Sequence, residues 1–313
     1  MRLIFLGSGE FGLPTLERLH AEHQVVAVVS QPDRPAGRKQ QLTPTPVALW
    51  ASQHGLALHK TENANDPTFV ASVAALRADA AVVIAFGQKL SPQLIAALGP
   101  LVVNLHASLL PKYRGAAPIN WAMIHGERET GVSVIGLAQK MDAGLIYAQS
   151  ATPIAETETA GELHDRLAAL GPAVIGATLA GFAAGTLHGL SQDDSRATKA
   201  PKLSKADAHV NFDAPPESVR CRIHGLTPWP GVTVKWARTS DSKDQPLFLR
   251  RVRIVAGICT DAAPGTVLAD HRIACRGGAV ELLEVQVPGG RVLPIADFVR
   301  GHRLEAGDRL IGA

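Results

Sequence analysis

The sequence predicts an α/β protein: a mainly parallel sheet flanked by helices, followed by a small β-rich domain. Three observations carry this. Short apolar runs alternate with helical patterns through residues 1–150, the rhythm of strand–helix–strand units. The run Ala80–Phe86 is almost continuously apolar, as a strand covered on both faces requires. From Leu190 onward the pattern changes to short strands separated by Gly/Pro turns, which suits a small barrel.

The elements follow in order. Arg2–Leu6 reads as a strand, Pro14–Glu22 as a helix and Val25–Ser30 as a second strand. A loop rich in Pro, Arg and Lys leads to a helix over Pro46–His54. Asp66–Ala78 is helical, with Asp66 placed to cap it and Pro67 at the first helical position, where its missing N–H costs nothing. After Ala80–Phe86, Leu101–Val103 is a short buried strand, and Val132–Leu137 another, followed by a turn over Gln139–Gly144. Thr159–Gly185 is a long Ala-rich helical region interrupted near Gly171-Pro172. Ser191–Lys205 is polar and aperiodic, as a linker would be. Beyond it come a helix over Pro216–His224 and strands at Val232–Trp236, Leu247–Val255, Gly265–Ala269, Arg272–Cys275 and Val280–Val287. The domains are therefore expected at 1–190 and 206–313, joined by 191–205.

Composition narrows the class. A chain of 313 residues suits two domains. Hydrophobic content of 46% supplies real cores, and 4% aromatic content makes them aliphatic. Met1-Arg2 leads into a short apolar run that ends at Gly7, unlike a signal peptide, and no stretch is expected to span a membrane. Cys221, Cys259 and Cys275 are odd in number and widely spaced, and the histidines show no ligand spacing. Neither a disulfide framework nor a metal site is expected. The expectation is a cytoplasmic monomer. Residues 1–200 carry 15 Lys/Arg against 16 Asp/Glu, net −1, and residues 201–313 carry 16 against 12, net +4. That excess could meet an acidic partner such as nucleic acid, but it is small, and on charge alone an ordinary solvated surface accounts for it better.

The stretch Asn104-Leu105-His106-Ala107-Ser108-Leu109-Leu110-Pro111 carries the chemistry, together with Asp142. Asn104 and His106 are two residues apart on a strand, so they point to the same side. The Gln139–Gly144 turn can bring Asp142 back over the strand ends. An amide, an imidazole and a carboxylate then converge, a set suited to moving an acyl or formyl group onto an amine. Asn and a protonated His stabilise an oxyanion; a carboxylate orients the imidazole and favours its charged form. No Cys and no Gly-x-Ser-x-Gly elbow lies near His106, consistent with direct attack by the amine. The plain alternative is that Asn104 and His106 only cap a strand.

Asn104 to Ile119, NLHASLLPKYRGAAPI, resembles the signature of the formyltetrahydrofolate-dependent transferases. The resemblance extends to Gln31–Arg38, Glu129–Val132, Lys202–Lys205, Trp229–Gly231 and Ala263–Val267, nearly the whole chain. It implies a Rossmann-like catalytic domain followed by an OB-like barrel. It implies that Asn104, His106 and Asp142 are the catalytic set. It places the folate beside Phe86, Gly87 and Gln88, through main-chain groups, and beside Ser108, Leu109, Leu110 and Pro111. The reaction implied is formyl transfer from 10-formyltetrahydrofolate, without a metal, to initiator methionyl-tRNA. The loop at 31–45 would enter the acceptor-stem region, with Arg34, Arg38 and Lys39 as its cations. Gln40 and Gln41 stand where many members continue with Gly and Lys. Transfer to another amine, such as a nucleotide sugar or glycinamide ribonucleotide, is the neighbouring alternative. A folate- or RNA-binding module without catalysis would fit only an incomplete trio.

A rival motif lies at Gly7-Ser8-Gly9-Glu10-Phe11-Gly12, which matches Gly-x-Gly-x-x-Gly after a strand and before a helix. It suggests an NAD(P)-dependent dehydrogenase. Against that, the second strand ends in Ser30 rather than an acid for the ribose, and hydride transfer leaves the polar trio idle. The glycines can serve a tight turn and close packing instead.

Overall fold

The structure is a computed structural model that describes residues 1–37, 40–239, 244–258 and 260–312. It divides into two compact units. The first holds Met1–Gly115, Gly131–Ala151 and His164–Lys199; the second holds Ala116–Thr130, Thr152–Leu163 and Ala200–Ala313.

The chain opens with β1 (Arg2–Gly7), α1 (Leu13–Glu22) and β2 (Gln24–Ser30), then a hairpin of β3 (Arg34–Ala36) and β4 (Gln41–Thr43). It continues through α2 (Pro46–Gln53), β5 (Leu58–Lys60), α3 (Pro67–Ala75), β6 (Ala80–Ile84), α4 (Pro92–Ala97) and β7 (Leu101–His106). Next come β8 (Arg114–Gly115), α5 (Pro118–Ile124), β9 (Glu129–Gly136), β10 (Ile146–Pro153), α6 (Ala160–Ala168), α7 (Gly171–Ala183) and β11 (Lys199–Ala200). Local chemistry sets several of these bounds. The Asp66 carboxylate caps α3, accepting from Thr68 N at 2.9 Å and Phe69 N at 3.2 Å. Ser91 caps α4 in the same way; that short helix and α5 lie where no element was expected. α3 ends at Ala75 rather than Ala78, because Arg77 takes a left-handed conformation, φ 48°.

The main sheet of the first unit has strand order β10-β9-β7-β6-β1-β2-β5. Strands β7, β6, β1, β2 and β5 are parallel neighbours, and β9 joins β7 antiparallel. The chain builds outward from β1 to β2 and β5, then returns to lay β6 and β7 on the other side. The order therefore reverses between β1 and β6, and in such sheets ligands bind beyond the carboxyl ends at that point. Leu3, Ile4, Phe5 and Leu6 of β1 are fully buried, as a strand covered on both faces should be.

Ala160–Ala183, at 24 residues, passes as a membrane span by length and composition, contrary to the expectation that no stretch would. It is broken, however: α6 ends at Ala168 and α7 restarts at Gly171. Leu163, Leu167, Ile175 and Leu179 are essentially fully buried, so its apolar side serves the protein interior.

The second unit contains α8 (Pro216–Gly225), β12 (Val232–Ala237), β13 (Gln245–Val255), β14 (Arg272–Cys275), β15 (Gly278–Gln286), β16 (Val292–Pro294), α9 (Ile295–His302) and β17 (Arg309–Gly312). Its antiparallel sheet runs β14-β15-β13-β12-β17, with β16 also paired to β15. Gly265–Ala269, expected as a strand, is not one. Thr266 bridges Arg309 and Val267 bridges Ile273, so the segment changes partner within two residues and nearly closes the barrel. Gly265 has φ 84°, and a Cβ there would sit 2.3 Å from the Leu310 carbonyl oxygen. The core packs Trp236, Phe298, Leu249, Val252 and Leu282. Ala117, Trp121 and Ile124 pack against that core, which is why α5 groups with this unit.

His224 makes this barrel acid-sensitive. It is fully buried, and its Nε2 accepts from Val252 N at 3.1 Å. Burial, with the charges of Arg220 and Arg251, pushes its pKa down to about 4. A proton on Nε2 would set donor against donor. The unfolded chain takes up that proton near the ordinary histidine value of 6.5 and the fold resists it to about 4, so stability falls as pH drops through that window. The loss approaches about 3 kcal/mol at the acid end. Denaturant unfolding at pH 7 and pH 4.5 checks this: His224→Gln should flatten the dependence, and an unchanged slope in that variant would assign it to other groups.

Candidate active site

β7 carries Asn104 and His106 in its last three residues, at the carboxyl end of the sheet. His106 is buried, and its Nε2 lies 2.8 Å from the Tyr113 carbonyl oxygen. A carbonyl only accepts, so Nε2 carries the hydrogen and the neutral ring keeps its lone pair on Nδ1. Nδ1 faces Asp142 Oδ2 at 3.7 Å. Asp142 Oδ2 also accepts from Gly115 N at 2.9 Å. Asp142 sits in the turn after β9 with φ 53°, a left-handed conformation that Asp tolerates better than most residues. Gly144 lets that turn fold back: a Cβ there would lie 1.7 Å from the Gly136 carbonyl oxygen. Among the described residues nothing hydrogen-bonds the Asn104 amide, which leaves it available to a ligand. Of the three residues predicted to converge, His106 and Asp142 face each other, and Asn104 lies two residues before His106 on β7.

The segment Ser108–Pro111 is pinned from beneath. Ser133 Oγ donates to Ser108 O at 2.6 Å and accepts from Leu110 N at 3.1 Å and Gln149 Nε2 at 2.8 Å, so its hydroxyl is fully used. Gln149 Nε2 also donates to Leu110 O at 3.0 Å. Ser108 Oγ donates to Lys112 O at 2.7 Å. Ser108 and Leu110 are buried, which leaves Leu109 and Pro111 partly exposed to meet a ligand.

The Phe86–Gln88 segment is also committed. Phe86 is buried in the core beside β6. Its carbonyl accepts from Ser8 Oγ at 3.3 Å and Gln31 Nε2 at 3.2 Å. Gln88 accepts from Ala64 N and donates to Thr61 O, each at 2.8 Å. Its side chain holds the neighbouring loop, and Ala85 and Gly87 are exposed.

Two of the three glycines of Gly7–Gly12 serve packing. A Cβ on Gly7 would meet the Phe5 ring at 2.6 Å, and one on Gly12 the same ring at 3.0 Å. Ser30 at the end of β2 bonds Thr45 Oγ1 at 2.6 Å, tying the strand end to the cap of α2. Arg34 is exposed on the β3–β4 hairpin; Arg38 and Lys39 lie outside the described residues. No group of metal-ligating side chains occurs among the described residues.

Sequence reasoning missed Ser133, Gln149, Gly115 and Gln192. Ser133 carries one weak signal, a lone hydroxyl inside the apolar strand Val132–Ile135.

An open sheet presenting an amide, an imidazole and a carboxylate at its carboxyl ends is a group-transfer site. Residues 1–179 match the family described as Formyl transferase, and residues 202–303 its C-terminal domain. A methionyl-tRNA formyltransferase of Solibacter usitatus is 41% identical over 314 residues, 99% of this chain and 98% of that protein. One from Paracoccus denitrificans is 41% identical over 310 residues, 99% of this chain and 100% of that protein. The chain belongs to the methionyl-tRNA formyltransferase family. Its fold is shared by an N-formyltransferase from Helicobacter canadensis, solved with folinic acid and dTDP-3-aminofucose, at TM-score 0.67 and 14% identity over 90% of this chain and 98% of that one.

Proposed function

We propose that this chain transfers the formyl group of 10-formyltetrahydrofolate to the amino group of initiator methionyl-tRNA, as a cytoplasmic monomer. The observation that carries the chemistry is the His106 ring, held at Nε2 by the Tyr113 carbonyl with Nδ1 turned to Asp142. The names of its full-length relatives support the acceptor.

The steps follow from that ring. The amine nitrogen bonds to the formyl carbon, and the carbonyl π pair moves to oxygen. The Asn104 amide donates to that oxyanion. His106 Nδ1 takes the ammonium proton, directly or through water, and the imidazolium then faces the Asp142 carboxylate. The oxyanion pair then re-forms the carbonyl as the bond from the formyl carbon to the folate nitrogen breaks; that bond's electron pair stays on the nitrogen, and Nδ1 returns the proton there. Leu109, Pro111 and the backbone at Ala85–Gly87 border the folate. Catalysis falls to the first unit, which takes in residues 191–199 of the expected linker, and residues 206–313 join the 31–45 loop in holding tRNA.

The test incubates the full chain with the formyl donor and charged initiator tRNA, reading formylmethionine. Formylation of a free amino sugar but not of methionyl-tRNA would overturn the acceptor. Arg38→Ala is expected to raise the apparent KM for tRNA and leave that for the donor unchanged. Losing one phosphate contact should lower the salt slope by roughly 0.7–0.9; an unchanged slope would remove Arg38 from the interface.

A further inference from the structure

The polar stretch read from sequence as the start of a linker is bonded along the site. Gln192 Nε2 donates to the Asp142 and Gly144 carbonyl oxygens, each at 2.8 Å. Its Oε1 accepts from Arg114 Nε at 3.0 Å and Nη2 at 2.7 Å. One amide thus spends both donors on the Asp142 turn and its acceptor on a buried guanidinium. Arg114 Nη1 pairs with Asp194 at 2.8 Å, and Asp194 also takes Lys140 Nζ at 2.6 Å. Six residues on, Thr198 Oγ1 accepts from Tyr113 N at 2.8 Å and Thr198 O from Arg114 N at 2.9 Å. Tyr113 is the residue whose carbonyl fixes His106 Nε2, and it does so from φ 62°, a conformation disfavoured for a bulky side chain. Both Tyr113 and Asp142 are held left-handed, and each is fastened by the same short stretch. Such conformations persist only where surrounding contacts over-determine them.

We infer that Gln192 and Thr198 are positioning residues for the transfer reaction, Gln192 setting the Asp142 turn and Thr198 setting the His106 tautomer through Tyr113. This rests on the reading that His106 and Asp142 take part in catalysis. A side chain displaced by about 1 Å from its working geometry can cost 10²-fold in rate, so the stretch need not touch substrate to govern turnover.

The experiment compares Gln192→Glu, Gln192→Ala, Thr198→Val and Thr198→Ser in the full chain. It measures kcat, both KM values, the melting temperature and the nitrogen NMR spectrum of the His106 imidazole. Gln192→Glu keeps size and the acceptor for Arg114 but cannot donate to the two carbonyls. Its kcat should fall at least about 10-fold, with both KM values within about twofold and the melting temperature retained. Thr198→Val should lower kcat and lose the pure Nε2–H signature of His106; Thr198→Ser should restore both. Wild-type turnover in Gln192→Glu and Thr198→Val, or no rescue by Thr198→Ser, overturns the inference. A kcat loss that only tracks a drop in melting temperature does the same. The imidazole spectrum needs no substrate, so it decides the role of Thr198 even if the unaltered chain fails to formylate methionyl-tRNA, a failure that would fall on the proposed acceptor.

Discussion

Asp142→Asn should cut turnover about 10²–10³-fold, the scale of losing one preorganised electrostatic partner, while the fold stays intact. The substitution keeps size and an oxygen for the Gly115 N–H, which Asp142 Oδ2 accepts at 2.9 Å. What disappears is the negative charge 3.7 Å from His106 Nδ1. The imidazolium formed when Nδ1 takes the amine proton then has no counter-charge in a buried site, where charges are weakly screened. Asn104→Ala should lose a similar factor at almost no cost in stability, because its amide has no protein partner among the described residues. His106→Ala should be the worst of the three for the fold, since it removes the buried hydrogen bond to the Tyr113 carbonyl. Single-turnover rates with saturating donor and tRNA, beside melting temperatures, separate these outcomes. Near-normal rates in both Asp142→Asn and His106→Ala would falsify the mechanism.

Gly144→Ala should be nearly as damaging although it removes no reactive group. A Cβ at that position would lie 1.7 Å from the Gly136 carbonyl oxygen and 2.7 Å from its carbon. Both are backbone atoms, so no side-chain rotation relieves the clash. The turn carrying Asp142 must lift from the end of β9 by more than 1 Å to restore ordinary contact, a displacement that costs on the order of 10²-fold in rate. It also strains the two Gln192 hydrogen bonds to Asp142 and Gly144. The loss should appear in kcat more than in either KM, because Leu109 and Pro111 are held separately through Ser133 and Gln149. A variant with unimpaired kcat would mean that the turn can move without taking the carboxylate away from His106.

These two cases mark the boundary of what the sequence disclosed. The α3 cap was legible because Asp66-Pro67 act on backbone groups two and three residues away. The break before α7 was legible in Gly171-Pro172 for the same reason. Arg34 and the rest of the 31–45 loop were legible as cations, but composition does not say what they touch. Gly265–Ala269 misled, because an apolar Gly-bounded run suits a strand as well as a segment that changes partners. α9 was missed: its eight residues, Ile295–His302, follow Pro294 with no side-chain cap.

The sequence alone determined the alternating α/β pattern, the change to a β-rich second part, and the identity and strand spacing of Asn104 and His106. Periodicity, capping and turn chemistry act over a few residues, so they are written in neighbouring letters. Only the tertiary structure decided which nitrogen of His106 is free, that the Gln88 side chain is spent on Thr61 and Ala64, and that Gln192 fastens the Asp142 turn. Each of those depends on a single polar atom meeting a backbone group across a wide sequence gap: 24 and 27 residues for Gln88, 50 and 48 for Gln192. Such a contact leaves no period and no composition signal, because any Gln satisfies the local rules equally well. The packing of the sheet and its loops selects the ones that matter.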